Sequence, residues 1–94
     1  MIVLNVIYKC KPSAREAFLH SVTDNGIDVA SRNEEGNLKY EYYLSTDNED
    51  EVLLVEKWKD ADSVASHGKQ PHYAKLGELK AEYVLETIID RFEI

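Results

Sequence analysis

Two strand-like runs joined by a charged tip set the first constraint on this chain. Leu38 to Ser45 reads LKYEYYLS and Val52 to Trp58 reads VLLVEKW. The first alternates at a period of two and is rich in tyrosine, which specifies a strand, and the second reads as the next strand. The tip between them, Thr46-Asp47-Asn48-Glu49-Asp50, is polar and turn-prone, so the runs fold back as a hairpin. A slip of one residue would turn every side chain to the other face. The expected register puts Leu54, Glu56 and Trp58 on one face and Leu53, Val55 and Lys57 on the other.

The rest of the chain supplies partners for that hairpin. Ile2 to Tyr8 is apolar and β-branched apart from Asn5, the pattern of a strand covered on both faces. A buried amide such as Asn5 needs hydrogen-bond partners. Tyr83 to Phe92, YVLETIIDRF, reads as a last strand. Between the first strand and the hairpin, Ala14, Ala17, Phe18, Val22, Val29 and Ala30 recur at helical spacing. Ser13 and Glu16 match a capping box, in which each side chain satisfies a free backbone N–H of the other. Gly26 weakens this helix by about 1 kcal/mol relative to alanine, and a bend is expected near Asn25 and Gly26. Glu34-Glu35-Gly36-Asn37 is a polar turn. After the hairpin, Asp60 is a good N-cap for a short helix carrying Ala61, Val64 and Ala65, with Gly68 as its stop. Gln70-Pro71 opens another helix, with Tyr73, Leu76 and Leu79 as its apolar face.

The resulting order, βαββαβ, is the ferredoxin-like plan of the α+β class: a four-stranded antiparallel sheet with helices on one face. Residues 1–94 make one domain. Ile2, Leu4, Val6, Leu53, Val55, Ile88 and Phe92 are expected to leave the second sheet face apolar as well. A patch of that size is normally covered, which predicts a homodimer packed through the sheet faces. A chain this short buries only about 60–65% of its unfolded surface, so a partner subunit would add to its stability.

Charge narrows the partners. Acidic residues outnumber basic ones by 18 to 11, for a net charge of -7. Nucleic acid and anionic membrane surfaces both require a positive patch, and neither is an expected partner. One cysteine, Cys10, permits no internal disulfide and fits a reducing compartment. No run approaches the ~20 apolar residues of a membrane span, and a cytoplasmic location is expected.

The residues able to do chemistry gather between Glu56 and Tyr73. Trp58, the only tryptophan, offers a flat wall and an N–H for an aromatic substrate. His67 is a natural general base near neutral pH. Asn5 can orient a substrate oxygen. Glu56, two residues before Trp58 on the same face, and His72 and Tyr73, at the start of the last helix, complete the candidate substrate site. Each also has an ordinary structural role: core packing for Trp58 and Tyr73, helix termination for His67, and satisfied buried polarity for Asn5 and Glu56. Tyr40, Tyr42 and Tyr43 read as sheet packing and His20 as a surface residue. His67 and His72 are five apart across Gly68 and Pro71, not the four that aligns two ligands on one helix. On that spacing no metal site is expected. No glycine-rich phosphate loop and no serine-nucleophile motif is present.

These segments together resemble the antibiotic biosynthesis monooxygenase family and its quinol monooxygenase-like relatives. The resemblance lies in KCKPSAREAF, NEEGNLKYEYY, LLVEKWKDADSVASH and PHYAKL. Its most specific part is Glu-x-Trp, then a histidine nine residues on, then Pro-His-Tyr. It implies a dimeric ferredoxin-like α+β barrel with a cavity in each subunit. For some members it implies oxygenation of phenols or quinols without metal or flavin. The family also includes haem-degrading enzymes, whose strand asparagine and tryptophan look like Asn5 and Trp58. Their iron-ligating histidine would fall near Gly77, which cannot ligate, so haem is disfavoured and no cofactor is expected.

The function expected is therefore a cofactor-independent oxidoreductase, a monooxygenase acting with O₂ on a small quinol or polyphenol. Trp58 would hold the ring, and His67 with Asn5 would deprotonate or orient a hydroxyl. Two alternatives remain: a non-oxidative isomerase of a small polar carbonyl compound, of the kind that processes a quorum signal, and a non-catalytic dimeric ligand-binding module.

Overall fold

The structure, a computed structural model, describes residues 1–94. Eight elements follow one another: β1 (Ile2–Cys10), α1 (Arg15–Asp24), α2 (Ile27–Arg32), β2 (Asn37–Leu44), β3 (Glu51–Trp58), α3 (Ala61–His67), α4 (Pro71–Tyr83) and β4 (Val84–Glu93). The strands form one antiparallel sheet in the order β2-β3-β1-β4. This is the ferredoxin-like arrangement, with each of its two helical segments divided in two.

The expected hairpin forms as β2–β3, with Tyr43 opposite Leu53 and Tyr42 opposite Leu54. Its tip is held from outside. The Arg15 guanidinium, on α1, donates through Nη1 to the carbonyls of Ser45, Asn48 and Glu51 at 3.4, 3.3 and 3.2 Å. Val52, Leu54, Glu56 and Trp58 are buried under the helices, in the register expected for this strand.

β1 departs from expectation. Ile2, Val6 and Tyr8 are buried beneath the helices together with Cys10, and half-buried Leu4 packs against the same core. Ile2, Leu4 and Val6 therefore do not line the second face. Val3, Asn5 and Ile7 do, opposite Lys57, Val55 and Leu53 on β3 and Phe92, Asp90 and Ile88 on β4. The run is apolar at both parities, so its sequence carries no signal for which parity turns inward. The second face is apolar, but it is interrupted by Asn5, Asp90 and Lys57.

Ser13 does not cap α1. Its φ is 63°, and its backbone N–H donates to Asp50 Oδ1 at 3.0 Å. Ala14 takes the N-cap position with no side-chain hydrogen bond. The serine is drawn into a turn pinned to the hairpin tip, which removes it from the helix axis. The bend expected near Asn25 is a complete break: Gly26, at φ 65°, separates α1 from α2. Gly68 ends α3 in right-handed geometry, and Pro71 begins α4 three residues later. Tyr83 closes α4 instead of opening β4.

The core lies between helices and sheet. Phe18 and Val22 of α1, Ile27 of α2 and Leu76 and Leu79 of α4 meet Tyr8, Tyr40, Leu54 and Trp58. No helix is long and apolar enough to cross a membrane.

Candidate functional site

Three short structural devices bring the site residues together. Asp60 caps α3 by accepting from the Ser63 backbone N–H at 2.9 Å and from the Ser63 hydroxyl at 2.7 Å. The helix so started is seven residues long and ends on His67. Pro71 at the first position of α4 then places His72 in that helix's opening turn. Glu34 arrives separately, from the turn between α2 and β2. Gly36, at φ 87°, lets that turn lie against Ser63.

The result is a chain of polar contacts under the helices. Trp58 Nε1 donates to Glu56 Oε1 at 3.1 Å. Glu56 Oε1 lies 3.8 Å from His67 Nε2. His67 Nδ1 meets Glu34 Oε2 at 2.5 Å, and the same oxygen meets His72 Nε2 at 2.7 Å. A carboxylate only accepts, so each imidazole presents an N–H to Glu34. Trp58, His67 and Glu56 are 0%, 4% and 6% exposed. The indole and the His67 ring are tilted by 36° with centroids 4.7 Å apart. Burial pushes the Glu56 carboxyl above its ordinary pKa, and the Trp58 N–H and His67 partly offset this.

What the cluster can do follows from the tautomer. With Nδ1–H held by Glu34, His67 in its neutral form carries the lone pair on Nε2, the nitrogen that faces inward toward Glu56 Oε1 at 3.8 Å. This is how an orienting carboxylate prepares a histidine base. The edge of Tyr73 lies on the same imidazole, with centroids 5.1 Å apart at 79°. Tyr73 is 45% exposed, so it stands between His67 and solvent.

Glu56, Trp58, His67, His72 and Tyr73 are thus brought together. Asn5 is not. It sits on the opposite sheet face, between Val55 and Asp90. Trp58 is closed in by the core and lines no open wall. His67 and His72 do converge, although their spacing fits no single helix, because a turn between two helices folds one toward the other. Glu34 was missed in the sequence, where it reads as one of two acids in a polar turn. His20, the remaining histidine, is exposed on α1.

Two buried phenols, Tyr8 and Tyr40, and the half-buried Tyr42 lie around this cluster. Desolvation pushes Tyr40 up to about 12 and raises Tyr8 and Tyr42 well above their ordinary value. Above pH ~10 these groups ionise in the unfolded chain but stay protonated in the fold. The unfolded state then binds fewer protons, and stability falls as pH rises from about 10 toward 12. An absorbance titration should show these three phenolates appearing together with the loss of tertiary circular dichroism. Their full ionisation in an intact fold would contradict this burial.

The fold and the buried His–Glu–Trp cluster define a ferredoxin-like α+β protein with ionisable groups beneath its helices. The chain belongs to the antibiotic biosynthesis monooxygenase family, which matches residues 1–79. It is 36% identical over 73 residues to the "Putative monooxygenase YcnE" of Bacillus subtilis, covering 78% of this chain and 75% of that protein. A solved "Putative antibiotic biosynthesis monooxygenase" from Nitrosomonas europaea superposes with a TM-score of 0.89 at 23% identity, covering 100% of this chain and 98% of the other. A conserved protein of unknown function from Bacteroides thetaiotaomicron superposes with a TM-score of 0.87 at 27% identity, covering 99% and 96%.

Proposed function

We propose that this protein is a monooxygenase that oxidises a small quinol or polyphenol with O₂ and needs no bound cofactor. The observation that carries the reading is the Glu34–His67 pair. It is a histidine fixed at Nδ1 by a carboxylate, beside an indole, with its second nitrogen directed into a water-poor interior. His67 takes the proton of a substrate hydroxyl through Nε2. The resulting anion is electron-rich enough to react with O₂. In the balanced reaction a ring C–H is replaced by C–O, the quinol supplies all the electrons, and the second oxygen atom leaves as water. The products are a hydroxylated quinone and one water. Tyr73 must swing aside to admit the ring, and the packing of its own ring edge on His67 supports an aromatic occupant there. Asn5, across the sheet from His67, has no part in this step.

The same reading includes a homodimer formed through the open sheet face. Half-buried Val3, Ile7, Leu53, Val55 and Ile88 there, with more exposed Tyr43 and Phe92, support it.

Oxygen uptake by the purified, metal-free protein with a menadiol-type quinol should exceed the uncatalysed rate. His67→Gln should lower the enzymatic part by about 100-fold or more, within the usual contribution of a general base. Light scattering of the same sample should give twice the 10.8 kDa chain mass. No excess uptake sinks the oxygenase reading, and a monomeric mass sinks the dimer.

One observation favours a second reading, a non-catalytic module. Trp58 is wholly buried against His67, and a filled interior needs no substrate. Retained stability with no turnover would select it. The isomerase alternative loses support where it concerns phosphorylated substrates: Lys69 and Lys75 are exposed and Lys57 lies on the other sheet face.

A further inference from the structure

We infer that Glu34, His67 and His72 form a binding site for one transition-metal dication of the zinc class. Their ligand atoms all lie within 4.8 Å of one another. They come from three places, the α2–β2 turn, the end of α3 and the first turn of α4, so the fold itself assembles them.

Charge is the first argument. The side chains of Glu34 and Glu56 are 10% and 8% exposed, and only imidazoles lie within ion-pair distance of them. No lysine or arginine compensates either one. Buried carboxylates normally require such a partner or a bound metal. A dication supplies the missing charge in one step.

Ligand chemistry is the second argument. Two imidazole nitrogens and one carboxylate oxygen suit zinc and its neighbours, with a fourth position left for water. Magnesium and calcium prefer shells made wholly of oxygen. Glu56 lies 3.8 Å behind His67 on the nitrogen that would not ligate, and Trp58 fixes Glu56 in place. A carboxylate that accepts the second N–H of a ligating histidine orients its ring and raises its basicity, and Glu56 would take that role by closing the 3.8 Å gap to hydrogen-bond distance.

Access is the third. Glu34 and His72 open onto a surface cleft of about 400 Å³, shared with Ala30, Asn33, Ser66 and Gln70. An ion can enter there, and its open position would face solvent. The hydrogen-bonded contacts of 2.5 and 2.7 Å would have to widen to the ~3.3 Å that separates ligands around a tetrahedral zinc. The ligands concerned sit in a turn and at a helix start, where such a shift is small. Cation and base are alternative states of the same imidazole, because a metal on Nδ1 displaces the Glu34 hydrogen bond.

The test uses tag-free, chelator-treated protein titrated with ZnCl₂, read by calorimetry and by the emission of Trp58. Binding at one equivalent per chain is expected, with an emission change that saturates there and a raised thermal midpoint. His72→Gln and Glu34→Gln should each weaken binding at least 10-fold while circular dichroism stays native. His20→Ala should leave it unchanged, and MgCl₂ should give no response. No saturable response, a response that survives His72→Gln, or one lost in His20→Ala would overturn the site. Because binding is read without substrate, its failure is separate from failure of the oxygenase reading.

Discussion

Trp58→Ala should unfold much of the population under mild conditions. The indole is completely buried at the end of β3, and truncating such a residue costs about 3–5 kcal/mol. The substitution also removes the N–H that satisfies Glu56, and a buried group left unpaired costs roughly 1–3 kcal/mol more. A chain of this length has only about 5–14 kcal/mol in total. Urea denaturation followed by circular dichroism should show a midpoint near zero denaturant, or no native baseline. Trp58→Phe keeps most of the ring volume and loses the donor, so its cost should be smaller, and adding Glu56→Leu should recover part of it. If Trp58→Phe is neutral, the indole–carboxylate bond contributes nothing, and Glu56 must be satisfied in another way. The phenylalanine variant, not the alanine one, is therefore the proper probe of any role in turnover.

Gly36→Ala should produce the next largest loss. At φ 87° a side chain is strained whatever its surroundings. Here an added Cβ would also fall 2.1 Å from Ser63 Oγ and 2.8 Å from Ser63 Cβ. The serine cannot simply rotate away without giving up its bond to Asp60, which starts α3. A cost of about 2–4 kcal/mol is expected from strain and displacement together. For a domain of this size, each kcal/mol moves the thermal midpoint by about 4–8 °C. Gly77→Ala provides the contrast. It lies within α4 with nothing close to its would-be Cβ, and it should raise stability by up to about 1 kcal/mol. Equal effects at the two glycines would refute the packing of the α2–β2 turn against α3. Because Glu34 sits in that turn, Gly36→Ala should also weaken whatever the His67–Glu34–His72 cluster does.

How much of this could be read from the sequence depended on where the contacts lie. The hairpin was legible because its signal is local: β2 alternates at a period of two and a polar, turn-prone tip separates it from the apolar run of β3. The orientation of β1 was not, since Ile2 through Tyr8 is apolar at both parities and only the packing of Phe18 and Leu76 selects one. Ser13 and Glu16 satisfied the capping pattern, but Asp50, 37 residues away, drew the serine backbone elsewhere. The candidate site was half legible. Trp58, His67 and His72 drew attention as rare residue types. Glu34 could not, because its contacts to the two histidines span 33 and 38 positions, and a glutamate in a polar turn is ordinary. Asn5 was singled out because its amide interrupts an apolar strand, yet the strand's parity turns it toward the uncovered face.

The strand order β2-β3-β1-β4 has a consequence for how the chain is made. Of these four strands β1 leaves a ribosome before the others, yet it is central in the finished sheet, and both of its neighbours are encoded far downstream. The β2–β3 hairpin can form early, since its contacts are local. β1 must wait, with one edge open, until the last ten residues of sheet have emerged as β4. Throughout that interval an apolar strand is exposed to other nascent chains. The closing step is the arrival of β4, so truncations within Val84–Glu93 should trap the chain with an unpaired central strand and promote aggregation.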